Sequence, residues 1–133
     1  IMCIKPQTFV NLSGSAVSQV ASFYKIIPEN IFVFHDEVEL EVGKSKFKIG
    51  GGNAGHNGLK SIDGMVSKEY NRIRIGVGRP PEKTDLADYV LAKFKKGEEE
   101  EICCKLEIVF QNLDLLLAKN FDKLSNLIAL KKI

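Results

Sequence analysis

A run of glycines near the middle of the chain limits most strongly what this sequence can fold into. Residues 50–58, GGGNAGHNG, hold five of the eleven glycines in the 133-residue chain. Residues 44–49 before the run alternate in polarity like a half-exposed strand. Apolar residues after the run recur at helical spacing, at Leu59, Ile62, Met65 and Val66. The pattern predicts a strand, a glycine loop and a helix, with Asn57 as the N-cap of that helix.

Such a loop suits an anion or a polarised carbonyl, because glycines let backbone N–H groups approach a ligand and a helix N-terminus carries partial positive charge. A tight turn that binds nothing remains an alternative. Two nucleotide motifs are excluded. Residues 50–55 match G-x-G-x-x-G, but the strand before them carries lysines and no acidic residue ends a second strand about 20 positions later. In the other motif, Leu59 separates Gly58 from Lys60 and breaks the Walker pattern.

Composition indicates one soluble globular domain, with 44% hydrophobic and 27% charged residues and no apolar run near the length of about 18 that a membrane span needs. The three cysteines lack metal-ligand spacing and predict reduced thiols in a cytoplasmic protein. Residues 41–83 carry nine Lys or Arg and four Asp or Glu, whereas the rest of the chain is net acidic. This basic segment indicates a phosphate-bearing partner, or else an ordinary solvated surface.

Other segments predict further helices and strands around the loop. A strand is expected at residues 1–5, and a helix capped by Asn11 or Ser13 follows. Residues 31–34 form an apolar run typical of a central, buried strand, and His35, Asp36 and Glu37 come directly after it. This His–Asp pair belongs either to a functional site or to an ordinary hydrogen-bonded pair.

Residues 71–78 alternate as a strand, with isoleucines and a valine on one face and two arginines on the other. Because glycines accompany these arginines, we expect open surface in front of Arg72 and Arg74. Three further helices are expected: a short one near residues 86–94, a long one that begins at Glu98 and whose apolar stripe continues to Leu117, and a last one at residues 121–130.

The polar residues exclude some chemistries. Ser13 does not lie in a G-x-S-x-G elbow, and the acids at positions 36, 37 and 39 provide no ligand set for a specific metal. Amides can hold a peptide or an ester carbonyl, and basic side chains can hold phosphate. A ligand with both a peptide part and a phosphate backbone would account for the whole set, which comprises Asn11, Asn57, His35, Asp36, Lys46, Lys48 and Arg74.

Six motifs in one order resemble bacterial-type peptidyl-tRNA hydrolase, namely residues 8–14, 21–24, 35–37, 46–52, 55–60 and 72–78. The resemblance implies an α/β fold, with a single domain over residues 1–133 in which helices flank a mixed twisted sheet. It also implies hydrolysis of the ester between a peptide and the 3′ ribose of tRNA, without a metal or cofactor. The expected partner is peptidyl-tRNA, and the expected protein is a cytoplasmic monomer that rescues stalled peptidyl-tRNA and does not bind membranes.

The same resemblance implies roles for particular residues. Asn11 and Asn57 would hold the peptide end and the attacking water, and Asp36 would orient a catalytic histidine. The tRNA 5′ phosphate would lie between Lys48 and Arg74, with Lys46 nearby. The glycine loop would border the substrate through Gly52, Gly55 and His56.

The chain also departs from the family pattern. The family's catalytic histidine and its Gly-Asn-Pro-Gly loop belong to a segment that would precede residue 1, and neither His35 nor His56 matches that histidine. We therefore expect that the N-terminal portion of the domain is absent and that residues 1–133 alone are inactive. The alternative is a non-catalytic, hydrolase-like RNA-binding protein. Asn53 and Ala54 replace a common His-Gly pair, which leaves the loop geometry open.

Overall fold

The computed structural model describes residues 1–131, which form two compact units. The first unit contains residues 1–33 and 48–72, and the second contains residues 34–47 and 73–131. Within the described residues, every helix is too short or too polar to cross a membrane.

Three strands form one sheet: β1 (Phe32–Glu37), β2 (Ser45–Ile49) and β3 (Asn71–Gly76). Their order is β1-β3-β2, so β3 is central. Asn71 N–H donates to Ile31 O and Val77 N–H donates to Glu37 O, a parallel pairing of β3 with β1. Residues 50 and 44 instead pair with 70 and 76, an antiparallel pairing of β2 with β3. The predicted α/β fold with a mixed sheet is confirmed.

In the first unit, α1 (Ser13–Phe23) packs against α2 (Asn57–Met65). A short 3-10 turn at Val10–Leu12 precedes α1. Gly14 lets the two helices approach closely, because a Cβ at this position would overlap the backbone carbonyl of Ser61. The buried apolar residues around this contact are Val17, Leu59, Ile62 and Tyr70. Leu59 and Ile62 of the pattern after the glycine run therefore mark the buried face of α2, whereas Met65 is 56% exposed.

The second unit contains four further helices: α3 (Leu86–Leu91), α4 (Glu98–Gln111), α5 (Leu113–Leu117) and α6 (Phe121–Leu130). Four glutamates occupy the first turn of α4, where their charge complements the helix dipole. The helices pack through apolar residues that are almost fully buried, namely Ile102, Val109, Leu116, Leu124 and Ile128. The rings of Phe34 and Phe110 stack on each other, as do those of Phe47 and Phe121, although Phe34 and Phe110 stay 37% and 54% exposed.

Several local predictions were wrong. Residues 1–5 are not a strand, since no strand of the described chain pairs with them. The N-cap of α1 is Leu12, and the Ser13 hydroxyl donates to Val10 O instead of capping. The predicted long helix divides at Asn112, whose side chain donates to Ile108 O.

The strand β1 also differs from its prediction. It continues through His35, Asp36 and Glu37, and it is an edge strand of the described sheet, not the central one. Its side chains are partly exposed accordingly. An apolar run alone cannot distinguish a central strand from an edge strand that a helix covers on one face.

Candidate functional site

The glycine loop of the first unit runs from Gly50 to His56 and connects β2 to α2. Its backbone turns in the left-handed region, with φ of 65° at Gly50, 98° at Gly51 and 82° at Gly55. Glycine is required there because a Cβ would strain the backbone. Gly50 N–H donates to Tyr70 O at 3.0 Å, which secures the start of the loop.

A buried arginine secures the next part of the loop. Arg72 is only 2% exposed. Its Nη1 donates to Gly52 O at 2.7 Å and its Nη2 donates to Gly51 O at 2.8 Å. The guanidinium carbon lies 4.6 Å from the centre of the Tyr70 ring. The predicted open surface in front of Arg72 is therefore wrong, because the guanidinium faces the loop carbonyls.

Asp63 joins this arginine to the middle of the loop. Its Oδ1 lies 3.3 Å from Arg72 Nη2 and accepts from the Tyr70 hydroxyl at 2.8 Å. Its Oδ2 accepts from Asn53 Nδ2 at 3.1 Å, and Asn53 Oδ1 in turn accepts from Gly55 N–H at 3.0 Å. Burial, and then the hydrogen bond to Asp63, raise the pKa of Tyr70 above its ordinary value. The phenol therefore stays a hydrogen-bond donor at neutral pH.

No residue pattern in the sequence indicates that Arg72 and Asp63 form a pair. A glycine loop that turns its carbonyls inward needs buried donors to satisfy them. An arginine on the neighbouring strand is a natural candidate for this task, and that requirement could have indicated Arg72. Its partner Asp63 lies on α2, the helix that follows the loop. The loop is therefore held both from α2, through Asp63, and from β3, through Arg72.

The N-cap of α2 is His56, not Asn57 as predicted. His56 Nδ1 accepts from Leu59 N–H at 3.2 Å, so the capping ring carries an acceptor nitrogen on this side. Asn57 is the first residue of the helix and its side chain is exposed. The amide of Asn57 therefore points to solvent at the positive end of α2 rather than closing the helix.

Asn11 lies on the 3-10 turn at Val10–Leu12 and is exposed. This turn contacts α2, and a Cβ placed on Gly58 would lie 3.2 Å from the Val10 side chain. The structure thus places both predicted asparagines on adjoining elements of the first unit, each open to solvent.

Asp36 belongs to the second unit, within β1. It lines an open cavity of about 200 Å³ together with Phe34, His35, Ile75, Val77, Phe94 and Ile102. A ring nitrogen of His35, Nδ1, lies 2.9 Å from the backbone oxygen of Asp36. Asp36 and His35 are the two polar residues that line this mostly apolar concavity.

Arg74, also in the second unit, pairs with Glu37. Its Nε and Nη2 both donate to Glu37 Oε1, at 2.9 and 2.7 Å. Burial alone would raise the pKa of Glu37, but hydrogen bonds from Arg74 and from Glu39 N–H outweigh it and hold this pKa below its ordinary value. The Arg74 side chain is 27% exposed, so it keeps some access to solvent.

The two predicted lysines differ from Arg74. Lys46 and Lys48 are exposed, and neither has an ion-pair partner within residues 1–131. Lys48 lies in the first unit beside the glycine loop, where a Cβ on Gly51 would overlap its side chain. Lys46 lies in the second unit with Arg74. Over the same residues no group of three or more His, Cys, Asp or Glu side chains could hold a metal ion.

This chain is similar to known proteins over almost all of its length. The family model described as peptidyl-tRNA hydrolase matches residues 1–133. The chain belongs to the peptidyl-tRNA hydrolase family. The prediction made from the six motifs is confirmed.

Individual relatives agree with this assignment. The peptidyl-tRNA hydrolase of Rickettsia africae is 50% identical over 129 residues, which are 97% of this chain and 70% of that protein. The protein of the same name from Rickettsia canadensis is 49% identical over 126 residues, 95% of this chain and 68% of its own length. A crystal structure of peptidyl-tRNA hydrolase from Acinetobacter baumannii has a TM-score of 0.83 and 33% identity. That alignment covers 96% of this chain but only 65% of the solved chain.

Proposed function

We propose that the protein hydrolyses the ester bond of peptidyl-tRNA and releases free tRNA and peptide. The observation that carries this proposal is the family match over residues 1–133, with 50% identity to the Rickettsia africae enzyme. The proposal includes a single domain that acts as a monomer in the cytoplasm. Sedimentation of the purified protein, with and without tRNA, measures its molecular mass and so tests whether it is a monomer.

Asn11 and Asn57 are proposed to hold the peptide side of the scissile ester and the attacking water. Both side chains are exposed, and their elements contact each other. An amide offers an acceptor and a donor, so it can bind a peptide group and a water together. Because His56 caps α2, the Asn57 amide does not have to serve the helix. Gly52, Gly55 and His56 are proposed to border the bound substrate.

Asp36 is proposed to orient the histidine that acts as general base. A carboxylate that accepts from one imidazole nitrogen fixes the tautomer whose other nitrogen takes a proton from water. His56 Nδ1 accepts from Leu59 N–H, so the other nitrogen of that ring carries the proton and is not free to take one from water. His35 directly precedes Asp36 on β1, and successive side chains of a strand point to opposite faces, so the Asp36 carboxylate is not expected to orient the His35 ring. We propose that the base belongs to the part of the relatives' length that this chain does not span.

Lys48 and Arg74 are proposed to bind the 5′ phosphate of tRNA, with Lys46 nearby. Charge-assisted hydrogen bonds from such side chains position a phosphate and carry no sequence information. The enzyme would therefore accept many tRNAs that share the same terminal phosphate.

The test uses the full-length protein, residues 1–133 alone, and a defined peptidyl-tRNA. Full-length protein is expected to release the peptide. Its His35→Ala and His56→Ala variants are expected to keep measurable turnover, reduced in His56→Ala because the cap of α2 beside Asn57 is lost. The shorter chain is expected to show none above background. Tight tRNA binding without turnover by the full-length protein would instead favour the non-catalytic RNA-binding protein. Turnover by residues 1–133 that either histidine change abolishes would show that the base lies within this chain.

A further inference from the structure

A charged network lies beneath the glycine loop of the first unit, and the proposed chemistry does not use it. Arg72 is 2% exposed and the Asp63 side chain 6% exposed, so both are taken out of water. Their contacts are with the loop carbonyls of Gly51 and Gly52 and with Asn53. Tyr70 adds a hydroxyl that donates to Asp63 and a ring whose centre lies 4.6 Å from the Arg72 guanidinium carbon, and the remaining short contacts are with the loop.

Stability alone is a poor reason for this pair. A buried ion pair is often no more stabilising than apolar residues of the same volume, because both charges lose their hydration. Two inward carbonyls of the loop, however, must find donors, and an apolar residue has none. The planar fork of arginine reaches both carbonyls and still meets a carboxylate. The network is thus suited to one loop conformation.

A second set of bonds extends this hold to the start of α2. Asn53 accepts from Gly55 N–H through its side chain, at 3.0 Å, and from His56 N–H through its backbone oxygen, at 2.9 Å. His56 then caps α2 by accepting from Leu59 N–H. Asn57 is the next residue along the chain, so its backbone direction is set by these bonds.

We propose that Arg72, Asp63 and Asn53 are positioning residues, which fix the glycine loop so that Asn57 presents its amide to the substrate in one orientation. This inference rests on the proposed role of Asn57 in peptidyl-tRNA hydrolysis. A loop so rich in glycine samples many conformations unless it is held. Burying the charges of Arg72 and Asp63 costs hydration energy, but it holds the loop in one conformation and so preorganises the Asn57 amide.

The first test needs no substrate. Hydrogen exchange is measured at the amides of residues 50–59 in full-length parent, Arg72→Lys, Asp63→Asn and Asn53→Ala. We expect exchange at Gly55 and His56 to be at least about tenfold faster in each variant, while the amides of α1 stay protected. Ser61→Ala is the matched control, since it removes a hydrogen bond between α2 and Gly14 without touching the loop. Unchanged loop exchange in all three variants would overturn the positioning role.

The second test measures kcat and KM on peptidyl-tRNA. Arg72→Lys keeps the positive charge but loses the planar fork that donates to both loop carbonyls, so the loop and Asn57 can shift. A shift of a substrate-positioning group by about 1 Å can lower the rate by about 10²-fold. We expect kcat to fall by about 10- to 100-fold with KM nearly unchanged. Ser61→Ala should lower the melting temperature but leave kcat near that of the parent. If Arg72→Lys does not fold, the same kinetic measurement is made on Asn53→Ala, which removes side-chain hydrogen bonds to Asp63 and Gly55 but alters no buried charge.

A double variant separates positioning from general loosening. If Arg72 acts through Asn57, Arg72→Lys should lower kcat much less in an Asn57→Ala background than in the parent. Equal losses in both backgrounds would contradict the proposal. If the full-length parent does not hydrolyse peptidyl-tRNA, the proposed function has failed. The exchange experiment then still decides whether the network holds the loop.

Discussion

The ion pair between Arg74 and Glu37 should contribute measurably to stability, and a double-mutant cycle can isolate its contribution. The perturbations are Arg74→Met, Glu37→Gln and both together, which keep side-chain volume while they remove charge. Both hydrogen bonds go to one carboxylate oxygen, at 2.9 and 2.7 Å, and the side chains are 27% and 14% exposed. The pair is therefore partly shielded from water.

Partial burial sets the expected magnitude. Exposed pairs couple by about 0.2–1 kcal/mol, and removing one partner of a fully buried pair costs about 3–5 kcal/mol. We expect a coupling of about 1–2 kcal/mol at pH 7, and Arg74→Met should be the less stable single variant because it leaves Glu37 without its cation. The matched control is Arg79 and Glu39, whose side chains are 72% and 50% exposed. Their coupling should be about 0.5 kcal/mol or less.

The assay is chemical denaturation of the full-length variants at pH 7 and at pH 4. Because the folded pKa of Glu37 lies below its ordinary value of 4.5, the pair stabilises fully above that value. Its contribution declines as the pH falls through the folded pKa. The coupling should therefore be smaller at pH 4. Equal coupling in the buried and exposed pairs, or coupling that does not change with pH, would refute the argument from burial.

Three further predictions concern the loop, the cavity and the helix contact. Lys48→Ala and Arg74→Ala should each weaken tRNA binding by about 1–3 kcal/mol and lower the salt slope by about 1, and only Arg74→Ala should also lower the melting temperature because it breaks the pair with Glu37. Identical salt titrations with 5′-phosphorylated and dephosphorylated tRNA would contradict this role. Asp36→Asn should lower kcat by up to about 10⁴-fold with KM nearly unchanged, whereas a loss that a melting curve explains would indicate a structural pair. Gly14→Ala should destabilise by about 1–3 kcal/mol because its Cβ overlaps a backbone carbonyl, and Gly64→Ala, with open space around it, should stabilise slightly in the same unfolding assay.

The amino-acid sequence by itself determined the strand, loop and helix around the glycine run. These are local patterns. The alternating polarity before the run matches β2, the glycines match a loop with positive φ, and the helical spacing after the run matches α2. The six ordered motifs identified the family for a similar reason, since residue types at short spacing do not depend on distant partners. Cap positions were less predictable, because His56 and Asn57 are both polar and only the helix geometry chose between them.

Tertiary structure alone decided what the two arginines of β3 do. Arg72 and Arg74 are two positions apart and look equivalent in the sequence. Arg72 is buried beneath the glycine loop, whose carbonyls lie 20 and 21 residues away, whereas Arg74 pairs with Glu37, 37 residues away. Alternation along a strand predicts which side chains share a face but not what covers that face. The neighbours of a central strand follow from strand order and from the loops above it, and long-range packing sets both.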